Sequence, residues 1–220
     1  MYAHKGTFSV SQVESFLKCP YAYHLSYNEK IPWPGVDRMD HGKRVHGALE
    51  QYPVRSKEFG EFSDQLAVFL GRESLEIATH EKTVNISLFG KPFTGRIDAV
   101  CTNGTILDFK ITTAPSYYKA KLGYQLPFYL YAMYGESFSN EAMYVLFKIT
   151  SSGKFDSLDF FKLSSVCTPS LFLGSLHALA GGAELIETAY RTGRFPPSYN
   201  NCYTCPYKNS CKYYNSKKEC

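Results

Sequence analysis

Apolar side chains recur at helical spacing through the first third of the chain and at strand spacing from His80 onward. In FSVSQVESFLKCP, Ser11 and Glu14 stand at capping-box spacing ahead of Phe16 and Leu17, which predicts a helix that Pro20 interrupts or restarts. Beyond the loop IPWPGVD, Val45, Leu49 and Tyr52 predict a helix over 39–52, and Phe62, Leu66, Phe69 and Leu70 predict a second. HEKTVNISLF then alternates, while GRIDAVC and GTILDFKIT are short and β-rich with Asn103-Gly104 between them; together they predict an antiparallel meander closed by a tight hairpin. A helix over 116–134, strands over 143–149 and 155–163, and a helix over 169–192 complete an α/β order. The final stretch, PPSYNNCYTCPYKNSCKYYNSKKEC, has little apolar periodicity, so something other than a hydrophobic core must order it. No internal repeat or low-complexity tract is present.

Composition narrows this picture only in places. With 220 residues, 44% hydrophobic and 16% aromatic, the chain can bury one substantial core, which predicts one domain with room for a small appended module. A net charge of +4 permits a polyanionic partner but suits many ordinary proteins equally. The start MYAHKGTFSV carries no basic segment followed by an apolar run, and no uncharged stretch is long enough for a bilayer, so a soluble intracellular protein without a membrane partner is expected. Seven cysteines, an odd number, point to metal ligation rather than disulfides in a reducing compartment.

Two constellations carry chemistry. Asp98 lies near the end of one predicted strand, and Asp108 and Lys110 share a face of the next because strand side chains alternate. Oxygen ligands of this kind suit Mg²⁺ or Mn²⁺, and an adjacent lysine can orient or deprotonate water and neutralise charge on a phosphate. A lone Asp-x-Lys is more often a solvated surface hairpin, so the motif needs company. Glu81 in the first strand can support metal or water, but a solvent-facing carboxylate at a strand start is the commoner case, and it is left outside the core site. The second constellation is Cys202, Cys205 and Cys211 at C-x2-C-x5-C spacing, with Cys19 near the other end of the chain. Four thiolates can hold zinc or a [4Fe-4S] cluster, and spacing does not separate the two. Cys101 and Cys167 are assigned to packing and Cys220 to an incidental terminus.

The company is there. Gly95 and Asp98, then Asp108 and Lys110, then Gln125 and Tyr129 follow one another as Gly-x-x-Asp, Asp-x-Lys and Gln-x-x-x-Tyr. This order resembles the RecB-like branch of the PD-(D/E)XK nuclease superfamily. The resemblance implies a restriction-endonuclease-like mixed sheet core flanked by helices, with Asp98, Asp108, Lys110, Gln125 and Tyr129 as the catalytic set. It also implies that His46 in HGKRVHGALE joins Asp98 and Asp108 around Mn²⁺ or Mg²⁺. A Cys-Pro followed by aromatic residues, paired with three late cysteines, is similar to the iron-sulfur nucleases of that branch, among them the small exonuclease encoded beside CRISPR adaptation genes and its phage relatives. On that likeness Cys19, Cys202, Cys205 and Cys211 hold a [4Fe-4S] cluster, residues 1–30 are a helical segment contributing one cysteine, 31–195 the nuclease core and 196–220 an iron-sulfur module. The sequence departs from much of the branch in placing Ile111 between Lys110 and Thr112.

The expected function is therefore a metal-dependent DNA nuclease, an exonuclease on single strands or DNA ends, in the cytoplasm of a bacterial, archaeal or virus-infected cell. Lys43, Arg44, Lys119, Lys121 and Tyr118 are candidate DNA contacts, and further tyrosines interleaved with lysines are compatible with stacking on unpaired bases. Two rivals remain: a non-cutting nucleic-acid-binding subunit of a recombination or CRISPR adaptation complex, and a zinc-stabilised binding module. For the nuclease itself, CRISPR adaptation or recombination proteins and a second copy of the chain are candidate partners besides DNA.

Overall fold

The computed structural model describes residues 6–32, 36–119, 123–137 and 139–215. The first helix, α1 (Val10–Lys18), begins earlier than its sequence signal suggests. Its capping box is formed by Ser9 and Gln12, through Gln12 N–H to Ser9 Oγ at 3.3 Å and Ser9 N–H to Gln12 Oε1 at 2.9 Å, and not by Ser11 and Glu14. The cause is the buried stripe Val10, Val13 and Phe16: the helix must include Val10, so the serine just before it becomes the cap. The extended backbone of Cys19 then ends α1 and caps α2 (Pro20–Tyr23), with Pro20 at a first-turn position where its missing N–H is harmless. A π-helical turn, His24–Asn28, follows.

Next come α3 (Val36–Leu49) and α4 (Gly60–Arg72), then strands β1 (Ile77–Leu88), β2 (Lys91–Cys101) and β3 (Ile106–Thr112). The predicted helix over 116–134 is instead two, α5 (Pro115–Lys119) and α6 (Gln125–Tyr134), with the weak helix former Gly123 between them. Strands β4 (Ala142–Ile149) and β5 (Phe155–Lys162) and the long helix α7 (Pro169–Thr192) fall where the pattern predicts them.

The strands form one five-stranded sheet in the order β1-β2-β3-β4-β5. β1 and β2 are joined by only Phe89 and Gly90, both at positive φ (47° and 81°), a type I′ turn that allows antiparallel pairing alone. β2 and β3 pair antiparallel across a loop in which Gly104 takes φ 85° and Asn103 Oδ1 accepts from the Thr105 N–H at 3.0 Å. β3 and β4 run parallel, with α5 and α6 in the connection, and β4 and β5 are antiparallel. The sheet is thus mixed and flanked by helices, as the resemblance implied.

The chain divides into two compact units, one of residues 1–37, 87–93 and 177–220 and the other of residues 38–86 and 94–176. In the second, Val45 and Leu49 of α3 and Phe62, Leu66, Phe69 and Leu70 of α4 pack with Ala99, Cys101, Leu107, Phe109, Val145 and Phe147 on one face of the sheet. Strand alternation therefore turns Asp98, Asp108 and Lys110 toward the other face. In the first unit α1 lies so close to α7 that a Cβ on Gly182 would stand 2.4 Å from Val13 Cγ1. Its interior is aromatic: Phe195 stacks on His24 at 4.7 Å between centroids and meets Tyr190 edge-on at 5.5 Å. Cys101 and Cys167 are buried, as the packing assignment expected, and Cys220 lies outside the described residues. Among the described residues, no helix is long and apolar enough to cross a membrane.

Candidate active site

The β2–β3 register builds the site. Ala99 pairs with Leu107 and Val100 with Ile106, so one step further the register sets Asp98 across from Asp108. Like charges directly opposite on a sheet repel, so this arrangement demands positive charge nearby. Lys110 supplies some of it, with Nζ 2.6 Å from Asp108 Oδ2, and the Phe109 N–H donates to Asp98 Oδ2 at 2.6 Å. Asp108 is fully buried (0% exposed), and its Oδ1 makes no hydrogen bond. Burial, reinforced by the Asp108 charge, pushes the Asp98 carboxyl well above the ordinary carboxylate range, against the pull of Lys110 and the Phe109 N–H. For Lys110, burial alone would weaken its hold on the proton, but Asp108, Asp98 and the Tyr118 phenol outweigh it and the ammonium is held above its ordinary value.

Helix α6 locks that ammonium in place. Lys110 Nζ donates to Gln125 Oε1 at 2.8 Å, Gln125 Nε2 to Tyr129 Oη at 3.0 Å, and Tyr129 Oη to the Arg96 carbonyl at 2.6 Å. Gln125 and Tyr129 are one helical turn apart, so both reach the same side of α6. Burial, followed by the Asp108 charge, raises the Tyr129 phenol and keeps it a neutral donor. Gly95 makes the approach of α6 to the sheet feasible: a Cβ there would lie 2.7 Å from Phe128 Cε1 and 2.9 Å from Tyr129 Cε1. Gly95→Ala is expected to displace α6 and with it the Gln125–Lys110 contact, lowering stability by about 1–3 kcal/mol; an unchanged melting temperature would show that α6 yields freely.

His46 approaches from α3. Its Nε2 donates to the Phe109 carbonyl at 2.8 Å and lies 3.8 Å from Asp98 Oδ2. Burial pulls the imidazole below its ordinary value, opposed by the Phe109 carbonyl and Asp108. The structure adds two carboxylates. Ligand atoms of His46, Glu50 and Glu81 all lie within 4.8 Å of one another. Glu50 follows His46 by four residues, and that spacing was a readable signal. Glu81, expected to face solvent, is turned inward by a left-handed backbone (φ 51°) and meets Arg96 Nε at 2.5 Å. Burial and then the facing Glu50 carboxyl raise its proton affinity, with Arg96 pulling the other way. The donor set of carboxylates, imidazole and an unbonded buried Asp108 oxygen fits a hard divalent cation.

Four cysteines lie around a second cleft. Cys19, Cys202, Cys205 and Cys211 line one cleft, although Cys19 Sγ accepts from a Ser198 N–H that is 179 residues distant, at 3.4 Å. A second N–H, from Ala22, reaches the same sulfur at 3.5 Å. Burial raises the Cys205 thiol, and the other three cysteines add to the effect. Among the described residues no three cysteine sulfurs lie within 4.8 Å of one another.

Of the candidate DNA contacts, Lys43 pairs with Asp40 at 3.3 Å, while Arg44 pairs with Glu58 and lies over the Phe59 ring. Tyr118 packs its ring on Tyr144, whose ring lies beneath Lys110 Nζ. Lys119 ends α5, and Lys121 lies outside the described residues.

The mixed sheet thus sets two acidic residues and a lysine together, backed by a helix bearing Gln and Tyr, a donor set that can take a divalent cation. The family model of the PD-(D/E)XK nuclease superfamily matches residues 7–69 and 66–212, and the chain belongs to that superfamily. Two crystal structures share the fold. One is a candidate exonuclease from Eubacterium rectale, with 13% identity, a TM-score of 0.54, and 93% of this chain and 92% of that one covered. The other is the protein SSO0001, with 15% identity, a TM-score of 0.52, and coverage of 97% and 89%. No curated protein matches the chain in sequence.

Proposed function

We propose that this protein is a Mg²⁺- or Mn²⁺-dependent deoxyribonuclease of the RecB-like type that removes nucleotides from single-stranded DNA or DNA ends. The observation that supports it most is the convergence of Asp98, Asp108, Lys110 and His46 with the Lys110–Gln125–Tyr129 relay. Asp98, Asp108, His46 and the Phe109 carbonyl would hold the cation, with Glu50 and Glu81 as further carboxylates beside it. When bound, the cation supplies Lewis acidity toward a phosphoryl oxygen and a water acidic enough to attack near neutral pH. Lys110 keeps its proton and donates to the phosphate as charge builds there. Gln125 fixes the ammonium by accepting one of its hydrogens, and Tyr129 holds the Gln125 amide in the orientation that leaves Oε1 free to do so. The Nε2–H of His46, engaged with the Phe109 carbonyl, must move to Nδ1 before Nε2 can bind a cation.

End-labelled single- and double-stranded DNA incubated with Mn²⁺ tests this reading. Wild type is expected to shorten single strands from their ends, and Asp108→Ala and chelation are each expected to stop it. Undiminished cutting by Asp108→Ala, or none by wild type, refutes it.

The cysteine cleft is proposed to hold a [4Fe-4S] cluster on Cys19, Cys202, Cys205 and Cys211, which would staple the two ends of the chain. The gathering of Cys19, from near one end of the chain, with Cys202, Cys205 and Cys211 around one cleft supports this reading. Anaerobically purified protein is expected to be brown, and Cys205→Ala to lose the colour and melt lower. A colourless protein carrying one zinc per chain would replace iron with zinc in this role.

A further inference from the structure

Three aromatic rings lead outward from the catalytic lysine. Lys110 Nζ lies 5.4 Å from the centroid of the Tyr144 ring. Tyr144 meets Tyr118 edge-on at 5.7 Å between centroids, and Tyr118 meets Tyr117 at 5.5 Å with the planes at 90°. The series ends in solvent, because Tyr117 is 59% exposed.

Each step has a cause. The parallel β3–β4 register pairs Asp108 with Tyr144, which places that ring beside the acidic residues on the catalytic face. Helix α5 starts three residues after β3 ends, so Tyr117 and Tyr118 cannot stray far from Lys110. Consecutive residues on a helix point about 100° apart, so one ring can pack inward on Tyr144 while its neighbour stands out. The exposed Tyr117 ring therefore has a face open to solvent on which a base can stack.

We infer that Tyr117 and Tyr118 form a stacking step for unpaired bases at the rim of the catalytic site, so that this protein grips single-stranded DNA next to the phosphate that Lys110 contacts. The inference rests on the nuclease reading and deepens it by naming the residues that hold the unpaired bases. Every base has a π-face, so the step tolerates any sequence, whereas bases paired and stacked within a duplex do not present theirs. The ammonium over Tyr144 adds positive charge at the inner end of the step, where the backbone phosphate of the stacked nucleotide would lie. Tyr117 and Tyr118 are positioning residues: they hold the nucleotide and take no part in bond making.

The test uses the full-length protein and single-stranded oligonucleotides carrying 2-aminopurine at successive positions, bound in Ca²⁺. Wild type is expected to quench the fluorophore at one or two adjacent positions. Tyr117→Ala is expected to lose that quench and weaken binding about tenfold, and Tyr117→Phe to retain both. In Mn²⁺ turnover the defect of Tyr117→Ala should fall on KM rather than on kcat. Because Tyr117 is exposed, its variants should fold, and the result does not depend on the half-buried Tyr118. Binding and quench of Tyr117→Ala within twofold of wild type would overturn the stacking step. A wild type that quenches the probe but cuts no DNA would leave the step standing and sink the nuclease reading instead.

Discussion

Lys110→Met is expected to lose metal-dependent cutting by at least about a hundredfold, the scale seen when one preorganised donor to a developing charge is removed. The unbranched apolar stem is kept to the ε position, so the change isolates the ammonium. That ammonium has three jobs in the structure: it pairs with Asp108 Oδ2, it donates to Gln125, and it opposes the charge of Asp98. Without it, two facing carboxyls are left with no cation, and breaking a buried pair from one side costs about 3–5 kcal/mol when the remaining charge is trapped. Here the penalty is smaller, because Asp98 already binds its proton more tightly than usual and can take one up. A metal-free melting temperature lower by about 5 °C follows for a chain of this size. Lys110 contributes this stability throughout the neutral range: its folded-state value is raised, so the contribution is complete below the ordinary lysine range and is lost only as pH climbs through the folded one. Mn²⁺ is expected to recover part of the lost melting temperature, since it replaces the missing positive charge, but none of the lost rate. A variant that cut within tenfold of wild type would remove the ammonium from the machinery.

The part of the site that was legible in sequence lies on regular elements. Asp108 and Lys110 share a strand face by alternation, Gln125 and Tyr129 share a helix face by one turn, and each motif keeps its geometry whatever surrounds it. Gly95 was legible as a motif letter, but its reason, the 2.7 Å to Phe128, belongs to packing between α6 and β2. Glu81 was set outside the core site as a strand-start carboxylate facing solvent, and its inward turn rests on a left-handed backbone (φ 51°) and the pairing with Arg96, neither of which local spacing records. Tyr144 could not be read at all, since it reaches the site through a parallel pairing that no local spacing records. The capping box failed for a related reason: two serines two residues apart both fit the pattern, and only the burial of Val10 chooses between them.

Asp98→Asn separates stability from activity in the opposite sense to Lys110→Met. Asn keeps an oxygen to accept from the Phe109 N–H but carries no charge, so it removes the repulsion with Asp108 while sparing the hydrogen bond. The Asp98 carboxyl binds its proton more tightly in the folded than in the unfolded chain, through burial first and the Asp108 charge second. A group shifted in this direction lowers folding stability as pH rises from the ordinary carboxylate range, at about pH 4, toward its folded value, and the deficit persists above that. Metal-free Asp98→Asn is therefore expected to melt a few degrees above wild type at pH 8, with the gap closing as pH falls toward 4. The same variant should lose cutting by more than about a hundredfold and lose most of the Mn²⁺-induced rise in melting temperature, because a ligand that binds only the folded state stabilises in proportion to its affinity. Equal melting at pH 8, or a gap that widens in acid, would mean that the facing carboxyls are relieved by something other than their protons and Lys110. The expected result would mark the Asp98–Asp108 pair as a strained arrangement that the protein retains for the cation and not for the fold.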